Sequence, residues 1–286
     1  METLIPRTVT VGLDGSDESL ASADWAAREA GMREIPLRVV HAGEQQPHSY
    51  VPFAGEPVPP PGADRSAHLL REARARPAHR HPGVRVTAEQ VAGQTVPALV
   101  AAARQADLLV LGSRGLGRAA GAVLGSVALA VVARAERPVV LVRAEDGVTQ
   151  ERGPDAVEES ADARSHRDVV LGLDLRAPDD HVIAFAFGAA ARRGTGLRVV
   201  HGRSRTTSRE PADVLRPWRD KFPGVDVTEE ALVGDAGAHL VDASRGASLV
   251  VVGRRTREGS LGPRLGPVAH EVLRHAVSPV AVVPHD

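Results

Sequence analysis

Cysteine is absent from the 286 residues, and lysine occurs once, at Lys221. The first absence excludes disulfides, thiolate nucleophiles and cysteine-ligated metal, and suits a reducing compartment. The second excludes a Walker A loop, whose GxxxxGK[ST] pattern needs a lysine reaching the phosphates. Aromatic residues make up 2% of the chain, which leaves few platforms for stacking bases. With a net charge of −1 and a pI near 6.9, a general nucleic-acid binder is not expected. No stretch approaches the ~18 uninterrupted apolar residues of a membrane span, and METLIPRTVTVGLDG at the N-terminus lacks the apolar run of a signal peptide. The expectation is a soluble, cytoplasmic protein without a membrane partner. Gly-x-Ser-x-Gly is also missing. No catalytic base or nucleophile is marked, so no catalytic residue is assigned.

What the chain does contain is concentrated in Ala106–Ser126, ADLLVLGSRGLGRAAGAVLGS. The apolar run Leu108–Leu111 has the length of a buried strand. Glycines follow at 112, 115, 117, 121 and 125, and Ser126 opens the Ala/Val-rich segment Val127–Arg134, which reads as a helix. In such a strand, loop and helix, glycines let a ligand approach the main chain, and the first helical amides are unpaired and partially positive. Phosphate suits that environment. A dinucleotide fingerprint is a poorer reading. It should follow the first strand and be answered by an acidic residue about 20 positions on, whereas no acidic residue occurs between Asp107 and Glu136.

The sequence repeats itself. Val9–Asp14, VTVGLD, recurs as Val169–Asp174, VVLGLD, and Leu37–His41, LRVVH, recurs unchanged as Leu197–His201, both 160 residues later. Beyond that the offset is 141: Pro82-Gly83-Val84 matches Pro223-Gly224-Val225, Gly93 matches Gly234, Gly112 matches Gly253 and Pro138-Val139 matches Pro279-Val280. The first copy therefore carries 19 additional residues between His41 and Pro82, where proline-rich Gly43–Ala63 reads as a surface excursion or lid. In each copy, short apolar runs alternate with helical patterns, the signature of βα units around a parallel sheet. Strands are expected over Thr8–Leu13, Leu37–Ala42, Val84–Val91, Leu108–Leu111 and Val139–Val142, with helices starting near Ser16, Asp64, Thr95 and Ser126. Ala144–Arg167 has no apolar period and reads as a linker. The domains are then 1–144 and 167–286, joined by 145–166. Val139–Val142 and Val280–Val283, each last in its copy, are expected to pair antiparallel. Asp14 follows the first strand, where its carboxylate caps the next helix or faces a ligand. His79 and His81, with His68 upstream, lack acidic partners at metal-binding spacing, so no metal site is assigned. His41 and His201 recur at equivalent strand ends, which predicts a shared structural role.

Gly112-x2-Gly115-x9-Gly125-Ser126 resembles the ATP-binding pattern G-x2-G-x9-G-(S/T) of the universal stress protein family, and the resemblance extends over both copies. It implies an α/β fold of two tandem doubly wound five-stranded parallel sheets, strand order 3-2-1-4-5, of the adenine nucleotide alpha hydrolase type. The order reverses between strands 1 and 4, where ligands bind. The resemblance further implies ATP, with Mg²⁺, as the ligand. Asp14 would face ribose or metal-bound phosphate and main-chain atoms of Ala42 the adenine. Phosphate contacts fall on Gly112, Arg114, Gly115, Gly125, Ser126 and Val127. It also implies a homodimer and a response to stress or dormancy in which occupancy regulates an unknown protein partner. The alternatives are an enzyme that hydrolyses ATP or transfers its phosphate, and a partner-binding protein indifferent to nucleotide. In the second copy Asp174, Gly253 and Gly266 remain, but Thr256 replaces the middle glycine, Pro267 the serine, and Leu175-Arg176 stand for Gly15-Ser16. A weak or empty second site is expected, although Arg254, Arg255 and Arg257 offer charge that could attract phosphate.

Overall fold

The computed structural model describes residues 7–43, 63–113, 124–143, 167–202, 210–256 and 265–286. The expected linker, nearly all of the proline-rich excursion, and Arg114 and Gly115 lie outside these residues. The chain divides into two compact units, one formed among the described residues by 7–113 and Gly125–Arg137, the other comprising Pro138–Asp286.

In the first unit the order is β1 (Val9–Leu13), α1 (Asp17–Arg33), β2 (Leu37–Gly43), α2 (Ala63–Arg80), β3 (Val86–Ala92), α3 (Thr95–Arg104), β4 (Leu108–Gly112) and α4 (Ser126–Arg134). The sheet runs β3-β2-β1-β4, and each neighbouring pair is parallel. Val9, Val11, Leu108, Leu109 and Val110 are fully buried, as unbroken apolar strands must be when helices cover both faces of a parallel sheet. Here α1 packs beside α2, and α3 beside α4. Ala23, Ala26, Ala27 and Ala30 recur at helical spacing on α1 and are buried, so small side chains let this helix lie close to the sheet.

The second unit contains β5 (Val139–Val142), β6 (Val169–Leu173), α5 (Asp180–Arg193), β7 (Leu197–Gly202), α6 (Pro211–Lys221), β8 (Val227–Leu232), α7 (Ala236–Ser244), β9 (Leu249–Arg255), α8 (Pro267–His275) and β10 (Val280–His285). Its order β8-β7-β6-β9-β10 is the expected 3-2-1-4-5. The last strands pair antiparallel as anticipated, with Val280 opposite Leu141, Ala281 opposite Val140 and Val282 opposite Val139. Arg143, just beyond β5, donates to the carbonyl oxygens of Leu273, at 3.0 Å, and Arg274 at the end of α8, groups that a helix leaves without internal partners.

The repeated VxxGLD or VVLGLD segment has a packing reason for its glycine. A Cβ on Gly12 would stand 2.6 Å from Leu111 Cδ2 and 2.9 Å from Leu99 Cδ2, and one on Gly172 would stand 2.8 Å from Leu240 Cδ1. Leu99 and Leu240 hold equivalent places on α3 and α7, so each helix seats a leucine against a bare strand position. α3 starts at Thr95 as expected, with Gln94 before it as a cap lacking a side-chain hydrogen bond. His79 belongs to the last turn of α2, which continues through Pro77. β3 begins at Val86 because Val84 N–H donates to His81 O at 2.9 Å, closing a turn first.

Candidate functional site

Pairing of Gly12 with Leu111 sets the carboxyl ends of β1 and β4 side by side where the strand order reverses. On the β1 side, Asp14 is half-buried. Its Oδ1 accepts from Ser16 N at 3.0 Å and Ser16 Oγ at 2.7 Å, while Ser16 Oγ accepts from Ser19 N at 3.2 Å and caps α1. Asp14 thus supports the cap through one oxygen. The other, Oδ2, has no partner among the described residues. Gly15 turns with φ +88°, a conformation that a side chain would strain.

On the β4 side, the strand stops at Gly112. Ser113 O accepts from Gly125 N at 2.8 Å, which ties the start of α4 to the strand end. Gly125 is the α4 cap and provides no side-chain acceptor, whereas α1, α5 and α7 are capped by Ser16, Asp179 and Asp235. The first α4 amides, at Ser126 and Val127, therefore keep their donor capacity, and both residues are exposed. Ser113 itself is 3% exposed, and its hydroxyl has no hydrogen-bond partner among the described residues. The fold thus gathers Gly112, Gly125, Ser126 and Val127 at one strand end, beside Asp14 at the next; Ala42 lies on β2, directly across from Val91.

The second unit fills the corresponding space with its own side chains. β9 runs two residues beyond Gly253, and β10 runs with it, Arg254 opposite Pro284 and Arg255 opposite His285. Thr256, where the middle glycine would be, donates its N–H to His285 O at 2.6 Å and its hydroxyl to Asp286 Oδ1 at 2.7 Å. The His285 ring takes the room over Gly253, with Nε2 2.8 Å from where a Cβ would be. Asp174 Oδ1 still accepts from Arg176 N at 3.0 Å, but Oδ2 is held by Arg255 Nη2 at 2.9 Å. Arg254, in the place of Ser113, is 4% exposed, and burial pulls its guanidinium below the usual arginine range. Neither arginine is therefore held out as charge for phosphate. Arg257 lies outside the described residues.

The histidines differ between copies. His41 Nδ1 lies 2.8 Å from Leu13 O, whereas the equivalent nitrogen of buried His201 has no hydrogen-bond partner among the described residues, so the expected shared role is not fulfilled in the same way. Among the described residues no cluster of three His, Asp or Glu side chains could hold a metal, and no helix is long and apolar enough to cross a membrane. Sequence reasoning missed Ser113 and His285. The pairing of Ser113 with Arg254 across the 141-residue offset was a usable signal for the first; nothing local announced the second.

The fold and the reversal point define a doubly wound α/β protein built twice, with a helix N-terminus at the first reversal point whose cap residue, Gly125, makes no side-chain hydrogen bond. The model of the Universal stress protein family matches residues 6–143 and 205–284. Universal stress protein Rv2005c of Mycobacterium tuberculosis is 33% identical over 299 residues, covering 96% of both chains. The chain belongs to the universal stress protein family. A universal stress protein from Archaeoglobus fulgidus DSM 4304 shares the fold, with TM-score 0.67 and 16% identity, covering 98% of each chain. A solved universal stress protein in complex with cAMP is 34% identical and covers 48% of this chain and 97% of its own, with TM-score 0.38.

Proposed function

We propose that the first copy binds ATP, and that occupancy sets the conformation or partner choice of the protein in a stress or dormancy response. The observation that supports this most directly is the orphaned Ser113 hydroxyl, buried beside an α4 N-terminus that no side chain caps. A buried donor without a partner costs about 1–3 kcal/mol, and a phosphate oxygen at that place would relieve it. Gly112, Gly125, Ser126 and Val127 supply main-chain contacts for phosphate, with Arg114 and Gly115 completing the loop. Asp14 Oδ2 is placed to accept from a ribose hydroxyl, and Ala42 to meet the base through its main chain. Bound Mg²⁺ would neutralise the phosphates; with Asp14 as the carboxylate at hand, it would be held chiefly by phosphate and water.

We read the site as that of a nucleotide sensor, since the sequence marks no catalytic base or nucleophile. We further assign 1–144 and 167–286 as its two domains, the second without nucleotide, and place the protein in the cytoplasm as a homodimer. The test is thermal unfolding with ATP, GTP or neither. ATP at about 100 times its Kd should add about 2.7 kcal/mol to the binding unit, and GTP less. No shift at millimolar ATP would sink the proposal.

A further inference from the structure

Beyond the phosphate loop, the ends of β2 and β3 carry two polar side chains that the binding site described above does not use. His41 and Gln90 face each other in register. Because Leu13 O can only accept, the 2.8 Å contact gives His41 Nδ1 the hydrogen and leaves Nε2 of the neutral ring as an acceptor. Gln90 is half-buried, and its amide has no hydrogen-bond partner among the described residues. Gly43 keeps the two side by side: a Cβ there would stand 3.2 Å from Gln90 Nε2 and 3.7 Å from His41 Nε2. In the second copy Ala231 stands opposite His201, and nothing lies within 4 Å of a Cβ built on Gly202. The amide is therefore confined to the copy that keeps the phosphate-loop spacing.

We propose that Gln90, with His41, reads the base of the nucleotide and makes the site selective for adenine. This rests on the ATP reading above. A carboxamide is both donor and acceptor and matches the N6 amino group and N7 of adenine in a two-point contact, the pairing by which glutamine recognises adenine in nucleic acids. His41 Nε2 accepts the second N6 hydrogen. Guanine presents a carbonyl oxygen at that place and sets two acceptors against each other, so the same pair rejects it. About 10 Å, two ordinary strand spacings, separates the ends of β1 and β3, and a nucleoside lying across the strand ends spans from Asp14 toward Gln90.

Calorimetric titrations of the full chain and of Gln90→Ala with ATP, GTP and 7-deaza-ATP, in which N7 is replaced by carbon, decide the matter. The wild type should prefer ATP to both others. Gln90→Ala should lose about tenfold or more in ATP affinity, keep its GTP affinity, and no longer distinguish ATP from 7-deaza-ATP. Unchanged ATP affinity in Gln90→Ala, or an equal loss for ATP and GTP, overturns the base-reading role while leaving ATP binding in place. A wild type that binds no nucleotide removes the ATP reading itself, and this inference with it.

Discussion

Replacing Asp14 by asparagine separates its two duties. In the native chain Oδ1 holds Ser16 N–H at 3.0 Å and the Ser16 hydroxyl at 2.7 Å, and an asparagine carbonyl oxygen accepts both. The amide nitrogen then replaces Oδ2, the oxygen without a partner among the described residues, and a donor cannot accept from a ribose hydroxyl. The fold should register little. What is lost is the charge near the α1 N-terminus, about 0.3–1 kcal/mol. Binding should register much more. A hydrogen bond to a charged group is worth about 1.5–3 kcal/mol, so ATP affinity should fall roughly ten- to 150-fold. Asp14→Ala should lose the same affinity and also the Ser16 contacts, about 1 kcal/mol more in stability. Calorimetric titration gives the first quantity and urea unfolding the second. If Asp14→Asn binds ATP within twofold of wild type, the carboxylate serves only the helix cap, and its assignment to the ligand is wrong.

Ser113→Ala removes a buried hydroxyl without a partner among the described residues; stability should hold or rise while ATP affinity drops severalfold, and an unchanged affinity in titration would detach Ser113 from the ligand. Gly12→Val drives a branched side chain into Leu99 and Leu111 and should cost at least about 1–3 kcal/mol by denaturant unfolding; an unaltered midpoint would refute the close-approach explanation.

Much of the architecture was legible because its causes are local and repeated. Unbroken apolar runs such as Leu108–Leu111 have one use in an α/β protein, and the Ser16 cap fixes where α1 starts. The antiparallel pairing of β5 with β10 followed from their apolar character and their place at the end of each copy, since such an edge needs cover. The meeting of Gly112, Gly125 and Ser126 at one strand end was legible because main-chain pattern alone makes it. The candidate site was illegible where a side chain acquires meaning from a distant neighbour. Gln90 stands out only once β2 lies beside it. The His285 ring reaches Gly253 across 32 positions because β9 and β10 run parallel in register. Arg255 read as free positive charge, yet Asp174, 81 residues away, holds it. Charge alone does not tell whether a guanidinium awaits a ligand or already has one.

The second copy differs from the first in more than its loop glycines. Thr256 is a poor substitute for a loop glycine, but its hydroxyl and amide bind the end of β10, and Arg255 pairs with the carboxylate of Asp174, the counterpart of Asp14. Pro267 removes one amide from the start of α8, where Gly266 provides no side-chain cap. These features differ in kind: the proline subtracts a donor, while the arginine, threonine and histidine occupy space. Restoring the donor alone therefore should not restore the site. The wild type should take up one ATP per chain, and Pro267→Ser should still take up one, because Arg255 remains on Asp174 and His285 over Gly253. The titration endpoint reads this directly. A second equivalent bound by the wild type would mean that these contacts yield readily to nucleotide, and one gained by Pro267→Ser would mean that the missing amide was the whole obstacle and the filled cleft none.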